Sequence, residues 1–197
     1  KTFSIENEPV VELVNNRERE YIFADLPDIG YSTDIDTVMA SSYQVKKQLQ
    51  QIVKIEQPIT NTLLYKRILR IWNLTRVTTR LQVFIDNLLE DAYKDPLSGD
   101  TIIYWEDEEK AKDCDFYRIN SKRDILDIPI LEVMSAARYA IEQQISMPTE
   151  DLKRLTSQLL GFSRKGNNLD MVTEQTIQLL VDQGIFSHAN GMVSMNN

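Results

Sequence analysis

The chain has one cysteine and one histidine among its 197 residues. A single thiol, Cys114, excludes an internal disulfide and every multi-cysteine zinc site, and a lone His188 excludes histidine-rich metal sites. No apolar run reaches the roughly 18–20 residues that a membrane span needs, so no membrane role is expected and a cytoplasmic location is. The N-terminus opens Lys1-Thr2-Phe3, with no methionine and no apolar signal stretch; the expectation is a piece of a longer protein. No G-x-x-x-x-G-K-[S/T] sequence occurs, which excludes the phosphate-cradling loop of an ATPase. These absences remove most enzyme classes, and neither a cofactor nor a catalytic residue is expected. What is present, 26% charged and 42% hydrophobic residues, is the composition of a folded protein.

The net charge of −8 argues against nucleic acid as an average, but it is unevenly spread. Residues 1–42 carry a net −6, residues 95–127 a net −5 and residues 128–197 a net −2, whereas residues 43–94 carry a net +5. A basic stretch inside an acidic chain reads either as a fluctuation on solvated helix faces or as a local footprint for a phosphate backbone.

A repeat organises the sequence. Leu74-Thr75-Arg76-Val77-Thr78-Thr79-Arg80-Leu81 matches Phe162-Ser163-Arg164-Lys165-Gly166-Asn167-Asn168-Leu169 at an offset of 88 residues. Ahead of each lies a helical pattern starting after Pro58 or Pro148, and behind each lies another helical pattern and then strand-like residues. In the first unit Ser41-Ser42 can cap a helix carrying Val45, Leu49, Ile52 and Val53. A second helix is expected over residues 60–72, with Leu64, Ile68, Ile71 and Trp72 inward and Lys66 and Arg70 outward. A third is expected over residues 78–92, with Leu81, Phe84, Ile85, Leu88 and Leu89 inward, Thr79, Gln82, Val83 and Asp86 on the open face and Arg80 at its border. Leu97-Ser98-Gly99-Asp100 is a turn cluster, residues 101–105 a strand, residues 116–119 its return, and residues 106–115 the loop between them. In the second unit Asp127 can cap a helix begun by Pro129, Gly161 and Gly184 stop the next two helices, and Asn190-Gly191 turns a hairpin.

Three helices followed by a hairpin give the fold class: mainly α with small β-hairpin wings, as tandem winged helix-turn-helix repeats. The expected boundaries are an acidic linker or docking strap at 1–42, a first winged-helix unit at 43–120 and a second at 121–197. In this architecture the third helix enters the major groove and the wing touches backbone or minor groove.

Ile52-Val53-Lys54-Ile55-Glu56-Gln57-Pro58-Ile59 resembles the "I-V-x-x-E-x-P-I" opening of domain of unknown function family 3320. The Leu74–Leu81 phrase resembles that family's "G-hydrophobic-x-R-x-G-x-R-I" turn, and Ile103-Tyr104-Trp105 resembles its "F-L-W-P" wing. The segment from Tyr21 to Pro27 resembles what usually precedes it, so the resemblance covers roughly residues 20–190. Asn73 and Thr78 stand where the family has glycines, and Glu106 where it has proline. The resemblance implies a bacterial module at the C-terminal end of a large superfamily 1 DNA helicase-like protein, often beside a restriction-endonuclease-like domain.

Other candidates read as structural. Pro27-Asp28 with Glu108-Glu109-Lys110 imitates a metal-nuclease pattern, but Glu108 lies in a long acidic loop rather than on a strand beside Asp28. Asn73-Leu74-Thr75 is a glycosylation sequon without meaning in a cytosolic helical turn. Arg76 and Arg164 hold the same place before the third helix of each unit; a guanidinium there either reaches phosphate or fixes the turn. The expected nucleic-acid-binding set is therefore Lys66, Arg70, Arg76, Arg80, Arg164 and Lys165, with the first unit contributing most. The expected role is a non-catalytic accessory module engaging double-stranded or forked DNA for a helicase or nuclease with which it shares a chain. The alternative is a protein–protein interaction module, for which the exposed Val83 is the hint.

Overall fold

The computed structural model describes residues 15–97 and 99–196. Val10 to Val14, an apolar run read as a short helix or strand, lies outside the described residues, as does Ser98 of the turn cluster. The stretch expected as a linker or strap contributes a strand, β1 (Glu18–Glu20), and a short helix, α1 (Ile35–Ala40). Asp34 caps α1 by accepting from the Thr37 N–H at 2.8 Å, and Val38 buries its side chain completely.

The first half begins with α2 (Ser42–Glu56), whose Val45, Leu49, Ile52 and Val53 form the buried stripe that the 3.6-residue period requires. The Ser41 side chain makes no cap to α2; its hydroxyl turns back to the Thr37 carbonyl at 3.0 Å. After a cis Gln57–Pro58 peptide comes β2 (Ile59–Thr60), and Thr60 caps α3 (Asn61–Ile71) by accepting from the Leu63 N–H. Asn73 turns the chain with φ +47°, the left-handed region that asparagine tolerates. Thr78 then caps α4 (Thr79–Leu88) through the Leu81 N–H. Two strands follow, β3 (Tyr93–Lys94) and β4 (Ile103–Trp105), and the sheet order is β2-β4-β3, antiparallel throughout.

Three expectations change here. The strand that returns to 103–105 is β3, not residues 116–119, because the hairpin closes ahead of Trp105, where buried Asp95 accepts from its indole Nε1 at 2.9 Å. The acidic stretch after Trp105 holds a helical turn, α5 (Glu108–Lys112), capped by Asp107 and braced by Glu106–Lys110 and Glu108–Lys112 pairs. The third helix stops at Leu88, four residues short of expectation, because the chain must turn there to enter β3.

The residues expected as the return strand form β5 (Tyr117–Ile119), which pairs in parallel with β1. A 3₁₀ turn over Ile125–Asp127 leads into α6 (Ile130–Glu142), whose N-cap is Pro129 and not Asp127. Ala136, Ala137 and Ala140 are buried on α6, and their small side chains let neighbouring helices approach. Then follow β6 (Ser146–Pro148), α7 (Thr149–Leu159), a turn with Gly161 at φ +89°, α8 (Asn167–Asp182), and the hairpin β7 (Phe186–Ala189) and β8 (Met192–Met195) turned by Asn190-Gly191. The sheet order is β6-β8-β7.

The chain is thus mainly α with a small antiparallel sheet in each half and one parallel strand pair, and both halves share one element order and one strand order. The starts of α2 and α6, of α3 and α7, and of α4 and α8 are each 88 residues apart, as are the ends of α3 and α7. Asn73 and Gly161, the two positive-φ turn residues, stand at the same offset. No helix of the described residues is long and apolar enough to cross a membrane.

Candidate nucleic-acid interface

Each half presents a helix, a seven-residue turn and a second helix, and the six expected cations lie on or beside these elements. The structure separates them into engaged and free groups. Lys66, on α3, is engaged: its ammonium lies 2.6 and 2.7 Å from the carboxylate oxygens of buried Asp127. Thr62 donates to the same carboxylate and Thr60 to the Asp127 carbonyl, so this side of α3 meets the connector into the second half. Lys66 therefore holds the two halves together. Arg70 lies over the Phe23 ring, 5.2 Å from its centroid. Arg80, in the first turn of α4, pairs with Asp36 of α1 at 2.7 Å, with both groups more than half exposed.

Arg76, Arg164 and Lys165 are exposed, and among the described residues their side chains have no hydrogen bond, ion pair or ring contact. Arg76 and Arg164 sit in equivalent turns. The two helix starts beyond them differ: Thr78 fills the first cap, while Gly166 offers no side chain and leaves the α8 N–H groups without one. Such N–H groups and the helix dipole favour an anion. Around this second turn, α7 and α8 enclose a groove of about 460 Å³ lined by Arg154, Phe162, Arg164, Lys165 and Asp170. Lys153 closes its floor, bonded to Asp170 at 2.6 Å, Glu174 at 3.1 Å and Glu150 at 3.3 Å. Burial works against that ammonium, but the carboxylates outweigh it and push its pKa up. The free cations thus gather more densely in the second half, the reverse of the expected weighting.

The open face of α4 is also narrower than its periodicity suggests. Asp86 points back into the first half, accepting from the Tyr65 hydroxyl at 2.7 and 2.8 Å and the Tyr104 hydroxyl at 3.3 Å. Burial first, and then the Asp86 contacts, push both phenol pKa values up. Thr79 and Val83 remain exposed on α4, and Val83 and its counterpart on α8, Met171, are 54% and 46% exposed.

Sequence reasoning missed the polar junction at the end of α2. Glu56 is fully buried at the end of α2. It accepts from the Tyr21 hydroxyl, from the Ala24 N–H at 3.1 Å and from Arg67 Nη2 at 2.9 Å. Arg118 and Arg123 lie over the Tyr21 ring, 5.0 and 4.3 Å from its centroid. The family phrases drawn through Tyr21 and Glu56 marked two of its members, but nothing in the spacing brought them together.

The other candidates stay structural. Asp28 accepts from the Gly30 N–H at 2.7 Å, and among the described residues no cluster of three or more His, Cys, Asp or Glu could hold a metal ion. His188, on β7, lies 3.1 Å from the Thr149 hydroxyl.

The family described as "Protein of unknown function (DUF3320)" has a model that matches residues 40–83, less than a quarter of the chain. The matched span runs through α2, β2 and α3 into α4, narrower than the resemblance drawn from the motifs. No curated protein and no solved structure matches the chain.

Proposed function

We propose that the chain is a non-catalytic tandem winged helix-turn-helix module that engages the backbone of double-stranded or forked DNA with little sequence preference. The observation that carries this reading is the equivalence of Arg76 and Arg164. Both are exposed, both are free of partners among the described residues, and both stand in the turn before the third helix of halves with the same strand order. Helix-turn-helix proteins bring that helix to the major groove and use the turn and helix N-terminus on phosphate. Lys165 and the uncapped start of α8 add a second anion contact in the second half. Arg80 is the one long cation on α4, and α8 has none, so few side chains are suited to reading guanine edges. The DUF3320 match over residues 40–83, together with the motif resemblance, supports service to a larger helicase or nuclease chain.

A second reading rests on Val83 and Met171. An exposed apolar residue at the same place on both third helices suits a protein partner. Fluorescence anisotropy with labelled duplex and forked DNA at two salt concentrations separates the readings. Backbone binding through Arg76, Arg164 and Lys165 gives a log–log salt slope of about −3. Absent or salt-independent binding removes the DNA reading and leaves the protein-partner one.

A further inference from the structure

Residues 21–36 carry four aspartates and no lysine or arginine, and they run along the helix-turn-helix of the first half. Ile29 N–H donates to the Ile71 carbonyl at 2.9 Å, Thr33 donates to the Trp72 carbonyl, and the Asn73 amide donates to the Tyr31 carbonyl at 3.3 Å. These bonds occupy the end of α3 and the turn after it. The Phe23 ring lies on Arg67 and Arg70, at 4.3 and 5.2 Å, and Asp36 takes Arg80. The segment thus meets Arg70 with an aromatic face and Arg80 with a carboxylate.

The anchoring of this segment is uneven. Ala24 at one end and Val38 beyond the other are buried. Between them Pro27, Asp28, Gly30, Tyr31, Ser32 and Asp34 are exposed. The Asp36–Arg80 pair is solvent-exposed on both sides, and such pairs are weak.

We propose that residues 21–36 act as an autoinhibitory strap, holding Arg70 and Arg80 from phosphate for as long as the strap lies on the first half. The proposal rests on the DNA reading above and supplies its regulation. It gives the two halves different resting states: Arg76 and Arg164 are open in both turns, while Arg70 and Arg80 on the flanking helices of the first half are held.

The test uses the full chain and labelled duplex DNA in anisotropy titrations from 50 to 300 mM salt, for wild type, Asp36→Asn, Phe23→Ala/Asp36→Asn and Arg164→Glu. Asp36→Asn removes only an exposed carboxylate, so it keeps the proposal testable if the double variant fails to fold by circular dichroism. Freeing Arg80 makes the salt slope steeper by about 1, and freeing Arg70 as well by about 2, with severalfold tighter binding at 50 mM salt. Unchanged slope and affinity in Asp36→Asn, alongside weakened binding in Arg164→Glu, overturns the strap and leaves the DNA reading standing. No binding by any of the four proteins overturns the DNA reading itself, and the strap with it.

Discussion

Arg118 on β5 and Glu132 on α6 meet through two contacts: Nη2 donates to Glu132 Oε1, and the Arg118 N–H donates to Oε2 at 3.0 Å. The same guanidinium donates to the carbonyls of Glu56 and Pro58, both at 2.7 Å, where α2 ends. One side chain thus ties the end of the first half's leading helix, α2, to the start of the second's, α6. Arg123 completes the group with bonds of 2.7 and 2.8 Å to Glu132. Burial opposes the Glu132 charge, but the two guanidinium groups outweigh it and hold its pKa below the ordinary 4.5.

Glu132→Gln leaves two buried guanidinium groups without a carboxylate and is expected to cost about 3–5 kcal/mol in urea unfolding at neutral pH. Because the folded pKa is depressed, the carboxylate's stabilisation is complete above the unfolded value and lost as pH falls through the folded one. Urea midpoints of the wild type fall below about pH 4.5, and those of Glu132→Gln fall less. Parallel acid profiles contradict the triad's role.

Tyr21 and Tyr117 lose solvent on folding, and both phenol pKa values are pushed up to about 12, Tyr21 further by neighbouring Glu56. Tyr65 and Tyr104 are raised as well. An ultraviolet titration of the folded protein should show four of the eight tyrosines still neutral at pH 11. Since these are raised values, the stabilisation is full below about pH 10 and is lost as pH rises through 12. Ionisation of all eight together near pH 10 counts against the packing of these rings.

Burial pushes the Cys114 thiol up to about 12, with Glu132 adding to it. The thiol therefore stays protonated at pH 8 and reacts slowly. A thiol reagent should label half-buried Cys114 far more slowly in the native protein at pH 8 than in the urea-unfolded chain, and equal rates contradict the raised pKa.

Asn73→Ala forces alanine into a φ of +47° and removes the amide bond to Tyr31. It should cost about 1–2 kcal/mol, whereas Asn73→Gly should be nearly neutral. Thr78→Ala should cost about 1 kcal/mol as a lost cap. Thermal unfolding ranks the three, and equal values for Ala and Gly at 73 contradict the turn geometry.

Much of the helical frame was legible in the sequence. Val45, Leu49, Ile52 and Val53 mark α2 by period alone, Asn190-Gly191 marks the second hairpin, and the 88-residue offset reappears in the helix bounds. The strands β2, β3 and β6 were invisible because two or three residues carry no alternation. The β1–β5 pairing joins residues nearly a hundred apart, which local pattern cannot reach. The candidate site was less legible than the fold for the same reason. Spacing places Lys66 and Arg80 on outward faces, but Asp127 and Asp36, which meet them, arrive from distant parts of the chain.

The salt dependence of duplex binding by wild type and Arg76→Glu/Arg164→Glu decides whether these two turns hold DNA. The wild type should bind with a clear salt dependence, and the double variant should show a slope shallower by about 2 and far weaker affinity. A double variant that folds normally and binds duplex DNA with unchanged affinity and slope shows that they do not.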